Sequence, residues 1–322
     1  MNSMKLGIIG AGRMGCNHIR TCKELYPQVE LAGFFDSNQQ RAKDVAAKCY
    51  TTAFPTVNDL LKTVDAVIVA APTPFHCQYG LLCAEKKKHL LMEKPICQTQ
   101  EEARQLIQAC KDNGVILQVG HIERFNPVIK ALTSVLKNEQ IISLDFRRLS
   151  PFDREFFDCD VIHDLMIHDL DIMNWIVDCK IDTIYAHGKC IFSEQHIDYG
   201  QALIRFANDI LVSLTASRVT EDKMRMLTIH TKNSCIYVDF LNRMITIYRR
   251  TAFKLEMEYD IHYKQENIIE KVFIQTNDPL KEEISSFVHS VKNNQIPVAD
   301  GFTALKALEI ADIISKLIYT KR

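Results

Sequence analysis

Residues 5–15 read KLGIIGAGRMG, an apolar run that breaks into Gly10-Ala11-Gly12-Arg13-Met14-Gly15. A G-x-G-x-x-G directly after a strand and at the start of a helix restricts the fold more than any other feature of this chain. Gly10 would permit the tight turn, Gly12 would let the backbone approach a pyrophosphate, and Gly15 would let helix and strand pack closely. The helix N-terminus would then face the phosphates. Such a fingerprint calls for an acidic residue about 20 positions on, at the end of the next strand. Asp36 stands there, in GFFDS. Its carboxylate would accept hydrogen bonds from the adenosine ribose hydroxyls. The same charge would repel a 2′-phosphate, which favours NAD over NADP, although Arg41 nearby weakens that preference. Without a ligand, the same residues describe only a glycine turn and a loop cap.

The alternation continues through the first third of the chain. Residues 30–35 and 65–71 are apolar or β-branched, 75–86 and 99–113 are helical, and 89–92 and 115–119 are strand-like. Thr99 is a natural N-cap, Glu101 and Glu102 fill the first turn, and Gly114 closes that helix. The pattern predicts a doubly wound parallel sheet, an α/β Rossmann domain over residues 1–120. It changes near Gly120 and His121. Helical segments at 126–137 and 161–177 flank a strand at 141–149, and successive strand-length runs then extend from 181 to 248. Asn208-Asp209 and Asn233-Ser234 mark turns between them. Serial strands with short turns predict an α+β domain with a large, open, mostly antiparallel sheet over residues 121–322. Helices at 279–293 and 303–319 end it.

Charge and cysteine content exclude several classes. With 39 basic and 40 acidic residues the formal net charge is −1, which gives no reason to expect a nucleic-acid or membrane-surface partner. No apolar run has the length of a bilayer span. The 11 cysteines include no C-x-x-C pair, which removes support for zinc ribbons and thioredoxin-type centres. Free thiols and an N-terminus that runs straight into a strand pattern predict a cytoplasmic protein.

Three further segments carry candidate chemistry. Glu93-Lys94-Pro95 follows a strand, which places Lys94 at the carboxyl end where open α/β sheets bind ligands. A lysine there can donate a proton or position a hydroxyl; it can equally be an exposed lysine before a turn. Asp164 and His168 stand at i and i+4 of a predicted helix, with Asp171 three residues beyond. A carboxylate beside an imidazole suits base chemistry, and would also suit a metal ion or a solvated helix face. The segment from His121 to Pro127 opens the second region and includes Arg124 and Asn126. Arg147, Arg148, Arg154, Arg218 and Arg225 are candidates for phosphate contacts through charge-assisted pairs, or ordinary surface charges.

Together GAGRMG, Asp36, Glu93-Lys94-Pro95 and the D-x-x-x-H-x-x-D of Asp164, His168 and Asp171 resemble the glucose–fructose oxidoreductase / inositol dehydrogenase / MocA family of nicotinamide-dependent sugar oxidoreductases. The resemblance covers essentially the whole chain. It implies NAD contacts from Gly10, Gly12, Arg13, Met14, Gly15, Asp36, Pro72, Pro74, His76, Glu93, Lys94 and Arg124. It implies substrate contacts from Lys94, Asn126, Arg148, Asp164 and His168, and no metal. His168 would take the hydroxyl proton, Lys94 would bind the same hydroxyl, with the two roles exchangeable, and Asp164 would bind a neighbouring hydroxyl or keep both productively protonated. A cis Lys94–Pro95 bond and a homodimer or homotetramer are implied as well. VGHIERFNP, RLSPF and DPLKEEISSFV look like the branch that oxidises UDP-sugars at C3, with UDP-N-acetylglucosamine as substrate and lipid A precursors downstream. UDP-N-acetylglucosaminuronate 3-dehydrogenases of the same branch are near alternatives, and an inositol or simple-sugar dehydrogenase and a non-catalytic NAD sensor are the wider ones. The chain departs from the family at Ala71-Pro72-Thr73-Pro74, at Lys86–His89, and at Met166, where many members carry glycine.

Overall fold

Strands β1 (Met4–Ile9), β3 (Ala66–Val69) and β4 (His89–Glu93) are buried along almost their whole length. Continuous apolar runs of this kind belong to strands covered on both faces. In the computed structural model, which describes residues 3–153, 159–192, 194–250 and 267–320, they join β2 (Val29–Phe35) and β5 (Leu117–Gly120). The result is a five-stranded parallel sheet of order β2-β1-β3-β4-β5. The chain steps from β1 to one side for β2 and returns to the other side for β3. This switch point opens a crevice at the carboxyl ends of β1 and β3.

The connecting helices are α1 (Arg13–Glu24), α2 (Gln39–Cys49), α3 (Val57–Leu61), α4 (His76–Glu85) and α5 (Gln100–Asp112). The expected cap of α5 is present in reciprocal form. Thr99 Oγ1 accepts the Glu102 N–H at 3.2 Å, and the Glu102 carboxylate accepts the Thr99 N–H at 3.2 Å. A cap of this type contributes about 1 kcal/mol. Helix α2 was not expected from periodicity, but its start is marked: the Asn38 side chain accepts the Arg41 N–H at 3.0 Å. Among the described residues no helix is long and apolar enough to cross a membrane.

The division of the chain differs from the expected 1–120 and 121–322. One compact unit comprises Met1–Phe125 and Asn277–Ile310, and the other comprises Asn126–Thr276 and Ala311–Arg322. The chain therefore returns to the first unit through α8 (Pro279–Asn293). Leu280, Ile284, Phe287 and Val288 of α8 share a core with Leu6, Ile8 and Ile19. Full burial of one such side chain contributes roughly 1.5–3 kcal/mol. An apolar stripe reads the same whichever core receives it, so local pattern does not reveal this docking. Helix α9 (Gly301–Tyr319) gives Ala304 and Leu308 to the first unit.

The second unit holds α6 (Pro127–Leu136) and β6 (Ile141–Leu149), then α7 (Ile167–Ile176). Strands β7 (Ile181–Lys189), β8 (Tyr199–Phe206), β9 (Leu211–Ser217), β10 (Met224–Thr231), β11 (Ser234–Asp239), β12 (Met244–Arg250) and β13 (Asn267–Val272) follow. The eight strands order as β13-β12-β11-β10-β6-β9-β8-β7. Neighbours pair antiparallel except β6 with β9, which are parallel. Strand β8 alternates cleanly: Ala202, Ile204 and Phe206 are buried, while Gln201, Leu203 and Arg205 face out. The expected helix at 161–177 is divided. Ile162–Met166 forms a π turn, with the Ile167 N–H reaching back to the Ile162 carbonyl, before α7 begins. Such turns recur at functional sites.

Asp160 anchors the π turn. Its Oδ1 accepts the N–H groups of Ile162 and His163 at 3.0 and 2.9 Å, and its Oδ2 accepts the Ser315 hydroxyl at 3.1 Å. His163 lies between Asp160 and Asp312, 2.9 Å from each. Burial pulls the His163 pKa down, but the two carboxylates outweigh it and push it up from the ordinary 6.5 to about 9. A group raised in this way stabilises the fold fully below pH 6.5, and the contribution disappears as pH rises through 9. Chemical unfolding should therefore show the wild type losing on the order of 2–3 kcal/mol on going from pH 6 to pH 10 relative to His163→Gln. Parallel pH profiles for the two proteins would refute a charged His163.

Candidate active site

Helix α1 starts at Arg13 with Gly12 as its N-cap. Among the described residues no side chain caps it and no acidic residue lies in its first turn. A helix N-terminus without a side-chain cap is a place where an anionic ligand docks. Gly10 has φ +96°, and a Cβ there would lie 2.6 Å from the Ala70 carbonyl oxygen. A Cβ on Gly15 would strike the Gly10 carbonyl. Gly12 is different: nothing lies within 4 Å of where its Cβ would be. The protein itself requires Gly10 and Gly15, whereas Gly12 opens a space at a helix N-terminus. That combination fits a dinucleotide pyrophosphate. Arg13 is exposed, and Met14 is half-buried beside it.

Asp36 ends β2 and is buried. Its Oδ2 accepts the Ala11 N–H at 2.7 Å, which ties it to the glycine turn, and its Oδ1 accepts the Asn38 N–H at 2.8 Å. Arg41 adds Nε on Oδ2 and Nη2 on Oδ1, each at 2.9 Å. Burial by itself would raise the carboxyl pKa. The Arg41 guanidinium and the two backbone donors overcome that and hold it below the usual range.

Glu93 ends β4. The ring of His18, fully buried on α1, lies 2.7 Å from Glu93 Oε1, and the Lys94 N–H donates to Oε2 at 3.3 Å. Burial opposes ionisation of Glu93, but the hydrogen bond from His18 and the nearby Lys94 hold its pKa down. The carboxylate thus fixes the backbone that carries Lys94. The Lys94–Pro95 bond is cis. His76 is buried beneath this segment, its ring nitrogens 2.8 Å from the carbonyls of Pro95 and Ala71. Burial lowers its pKa, so the neutral ring donates to one carbonyl at a time. His76, expected as a cofactor ligand, forms a strut between the Lys94–Pro95 segment and the Ala71–Pro74 turn. Pro72 and Pro74 are exposed on that turn, while Arg124 is buried, its N–H on the His121 carbonyl at 2.9 Å. The thiols of Cys22, Cys83 and Cys110 are pushed by burial up to about 12, as for small apolar packing groups.

In the second unit Asp164 lies in the π turn and His168 in the first turn of α7, both half-buried, whereas Asp171 is buried. Among the described residues no group of three His, Cys, Asp or Glu is arranged to hold a metal ion. Asn126 caps α6, its Oδ1 accepting the Val128 N–H at 3.1 Å. Arg148, expected on the substrate, lies on the inward face of β6 at 2% exposure. Its Nη2 and Nε donate to Asp169 at 2.7 and 3.0 Å. Arg218 is also buried and donates to the Cys159 carbonyl. Arg147 is exposed beside Asp145, Arg225 is half-buried, and Arg154 lies outside the described residues. His18 was not singled out by sequence, although it stands three residues beyond Gly15 on the same helix. That helical spacing was the available signal.

The model of an oxidoreductase family with an NAD-binding Rossmann fold matches residues 4–121, and that of the GFO/IDH/MocA C-terminal domain matches residues 143–236. The chain is 32% identical over 311 residues to the UDP-N-acetylglucosamine 3-dehydrogenase of Acidithiobacillus ferrooxidans, covering 97% of this chain and 96% of that protein. The solved structure of that enzyme, GnnA, superposes with a TM-score of 0.90 over 99% of this chain and 98% of its own. The myo-inositol 2-dehydrogenase of Thermotoga maritima is 23% identical over 335 residues, covering 99% of this chain and 97% of that protein. The WlbA dehydrogenase of Bordetella pertussis, solved with NADH and UDP-GlcNAcA, shares the fold at 17% identity. Its TM-score is 0.82 over 100% of this chain and 97% of that one.

The burial of Arg148 makes a structural role separable from a ligand role. Removing one partner of a buried ion pair costs about 3–5 kcal/mol, because the other charge stays behind. Arg148→Met should lose that much stability in denaturant unfolding, and Asp169→Asn should lose a similar amount. An unchanged midpoint for Arg148→Met would return the arginine to the list of substrate ligands.

Proposed function

The chain belongs to the GFO/IDH/MocA oxidoreductases, and from that premise we propose that it oxidises the C3 hydroxyl of UDP-N-acetylglucosamine to the 3-keto sugar. It is an NAD-dependent oxidoreductase of a family that acts on sugar hydroxyls. The observation that carries the narrower reading is the 32% identity, over 97% of the chain, to an enzyme named for that reaction. NAD, when bound, supplies the hydride acceptor. Gly12 and the α1 N-terminus receive the pyrophosphate, and Asp36 receives the adenosine ribose. Oxidation of a secondary alcohol releases a proton as well as a hydride, so the protein must provide a base. In this reading His168 takes the proton, Lys94 hydrogen-bonds the reacting hydroxyl and stabilises the developing alkoxide, and Asp164 binds a neighbouring hydroxyl or orients His168. Both residues follow or precede an anchored carboxylate: Glu93, held by His18, comes just before Lys94, and Asp169, held by Arg148, comes just after His168. Anchoring of this kind preorganises a reactive side chain. The Arg148 pairing leaves the diphosphate to other cations. The resemblance to a myo-inositol 2-dehydrogenase favours a second reading, oxidation of an inositol or free sugar.

NADH formation by absorbance decides between them. UDP-N-acetylglucosamine, free N-acetylglucosamine, UDP-N-acetylglucosaminuronate and myo-inositol are offered in parallel, with an aminotransferase and glutamate trapping the 3-keto product. Turnover with UDP-N-acetylglucosamine is expected, and turnover with inositol or a free sugar would overturn the nucleotide-sugar reading. In the same assay Lys94→Met and His168→Asn should each lower kcat roughly 10²–10⁴-fold while NADH binding persists. Full turnover in both would sink the assignment of roles.

We also propose that a second copy of the chain covers the outward face of β7–β9. Tyr185, Leu203 and Leu211 stand on it at 62%, 61% and 53% exposure among polar neighbours such as Gln201 and Arg205, a mixture of the kind found in interfaces. Sedimentation should give a dimer or tetramer, and Leu203→Glu combined with Tyr185→Glu should shift it to monomer. A wild-type monomer at micromolar concentration would refute the assembly.

A further inference from the structure

The Asp36 carboxylate is closed by the protein itself. An ionised carboxylate offers about four acceptor positions, and four donors occupy them here: the Ala11 and Asn38 N–H groups, Arg41 Nε and Arg41 Nη2. The Asp36 side chain is only 2% exposed, whereas that of Arg41 is 47% exposed. A ribose diol needs two acceptors on this carboxylate, and the two backbone donors belong to the glycine turn and the α2 cap. Arg41 is the partner that can leave. Its pairing is side-on, through Nε and Nη2. The other edge of the guanidinium, Nη1 with the second Nη2 hydrogen, has no partner among the described residues and faces outward. That edge has the fork geometry that binds phosphate bidentately. The first turn of α2 adds no acidic side chain to oppose an anion.

We propose that Arg41 sets the cofactor selectivity of this chain: it swings off Asp36 to admit the adenosine ribose of NAD(H), and it stays on Asp36 and turns its outer edge to the 2′-phosphate of NADP(H), so that the site takes both cofactors. The inference rests on the dinucleotide reading of the glycine turn and goes beyond it. An aspartate at this place rejects a 2′-phosphate through its charge. Here the charge is already matched by a guanidinium at 2.9 Å, and the phosphate meets a cation first. The same pairing is a toll on NAD(H), because two charge-assisted hydrogen bonds must break before the ribose docks.

Equilibrium titration of the full chain with NADH and with NADPH, followed by nicotinamide fluorescence or calorimetry, tests this without any substrate. The wild type should bind both. Arg41→Ala should weaken NADPH roughly 10–100-fold, the worth of charge-assisted hydrogen bonds, and should tighten NADH roughly two- to five-fold by removing the exposed pair. Arg41→Lys, which keeps the charge and loses the fork, should fall between wild type and Arg41→Ala for NADPH. NADPH affinity within two-fold of wild type in Arg41→Ala overturns the proposal. A wild type that binds NADH but not NADPH overturns it as well. Failure of the wild type to bind NADH would overturn the dinucleotide reading itself, and the proposal with it.

Discussion

At Gly10 the backbone leaving β1 passes so close to Ala70, at the end of β3, that no side chain fits between them. The nucleotide half of the molecule depends on this close approach. It sets the start of α1, leaves the helix N-terminus without an internal cap, and delivers the Ala11 N–H to Asp36. The turn after β3 is in turn tied through His76 to the cis Lys94–Pro95 segment. One steric constraint between two neighbouring strands therefore fixes the open space at Gly12, the place of the Asp36 carboxylate and the backbone beneath Lys94.

Electrostatics supplies the second layer. Several buried carboxylates among the described residues are matched by a basic side chain, which offsets the penalty of withdrawing a charge from water. Glu93 has His18, Asp169 has Arg148, and Asp160 with Asp312 has His163. Two of these pairs abut the residues proposed for chemistry, and the third anchors the π turn that carries Asp164. Asp36 with Arg41 is built differently, because one member is exposed and can leave. Rigid pairs suit positions where a reactive side chain must be held. A pair with one exposed member suits a position where a ligand must displace something.

Much of this was legible in the chain. The glycine spacing, the Thr99 cap and the alternation of β8 rest on neighbours within a few residues of one another, and Asp36 was found by its fixed offset from the glycines at the end of the next strand. The less legible parts share a cause. Helix α2 has a polar sequence with a weak apolar stripe, so its Asn38 cap was a better signal than its periodicity. The π turn lies inside a segment of unbroken helical character, and no residue of it marks the change from an i→i+4 to an i→i+5 hydrogen bond. Arg148 alternates with Arg147 on β6, and a strand puts successive residues on opposite faces, so one arginine points inward and the other to solvent. Sequence gives that alternation, but the face that is covered depends on what packs there.

By itself, the amino-acid sequence determined the local devices: where a backbone needs glycine, where a helix starts, which residues share a face, and that a parallel sheet precedes an antiparallel one. Those follow from sterics and hydrogen bonding over one or two turns of chain. Tertiary structure alone decided which charges meet. Glu93 pairs with a residue 75 positions away, His163 with one 149 positions away, and α8 returns to a core begun at β1. Such partners are chosen by burial, since a charge withdrawn from water must take whatever opposite charge the packed elements bring to it. That choice is made only when distant segments share one interior.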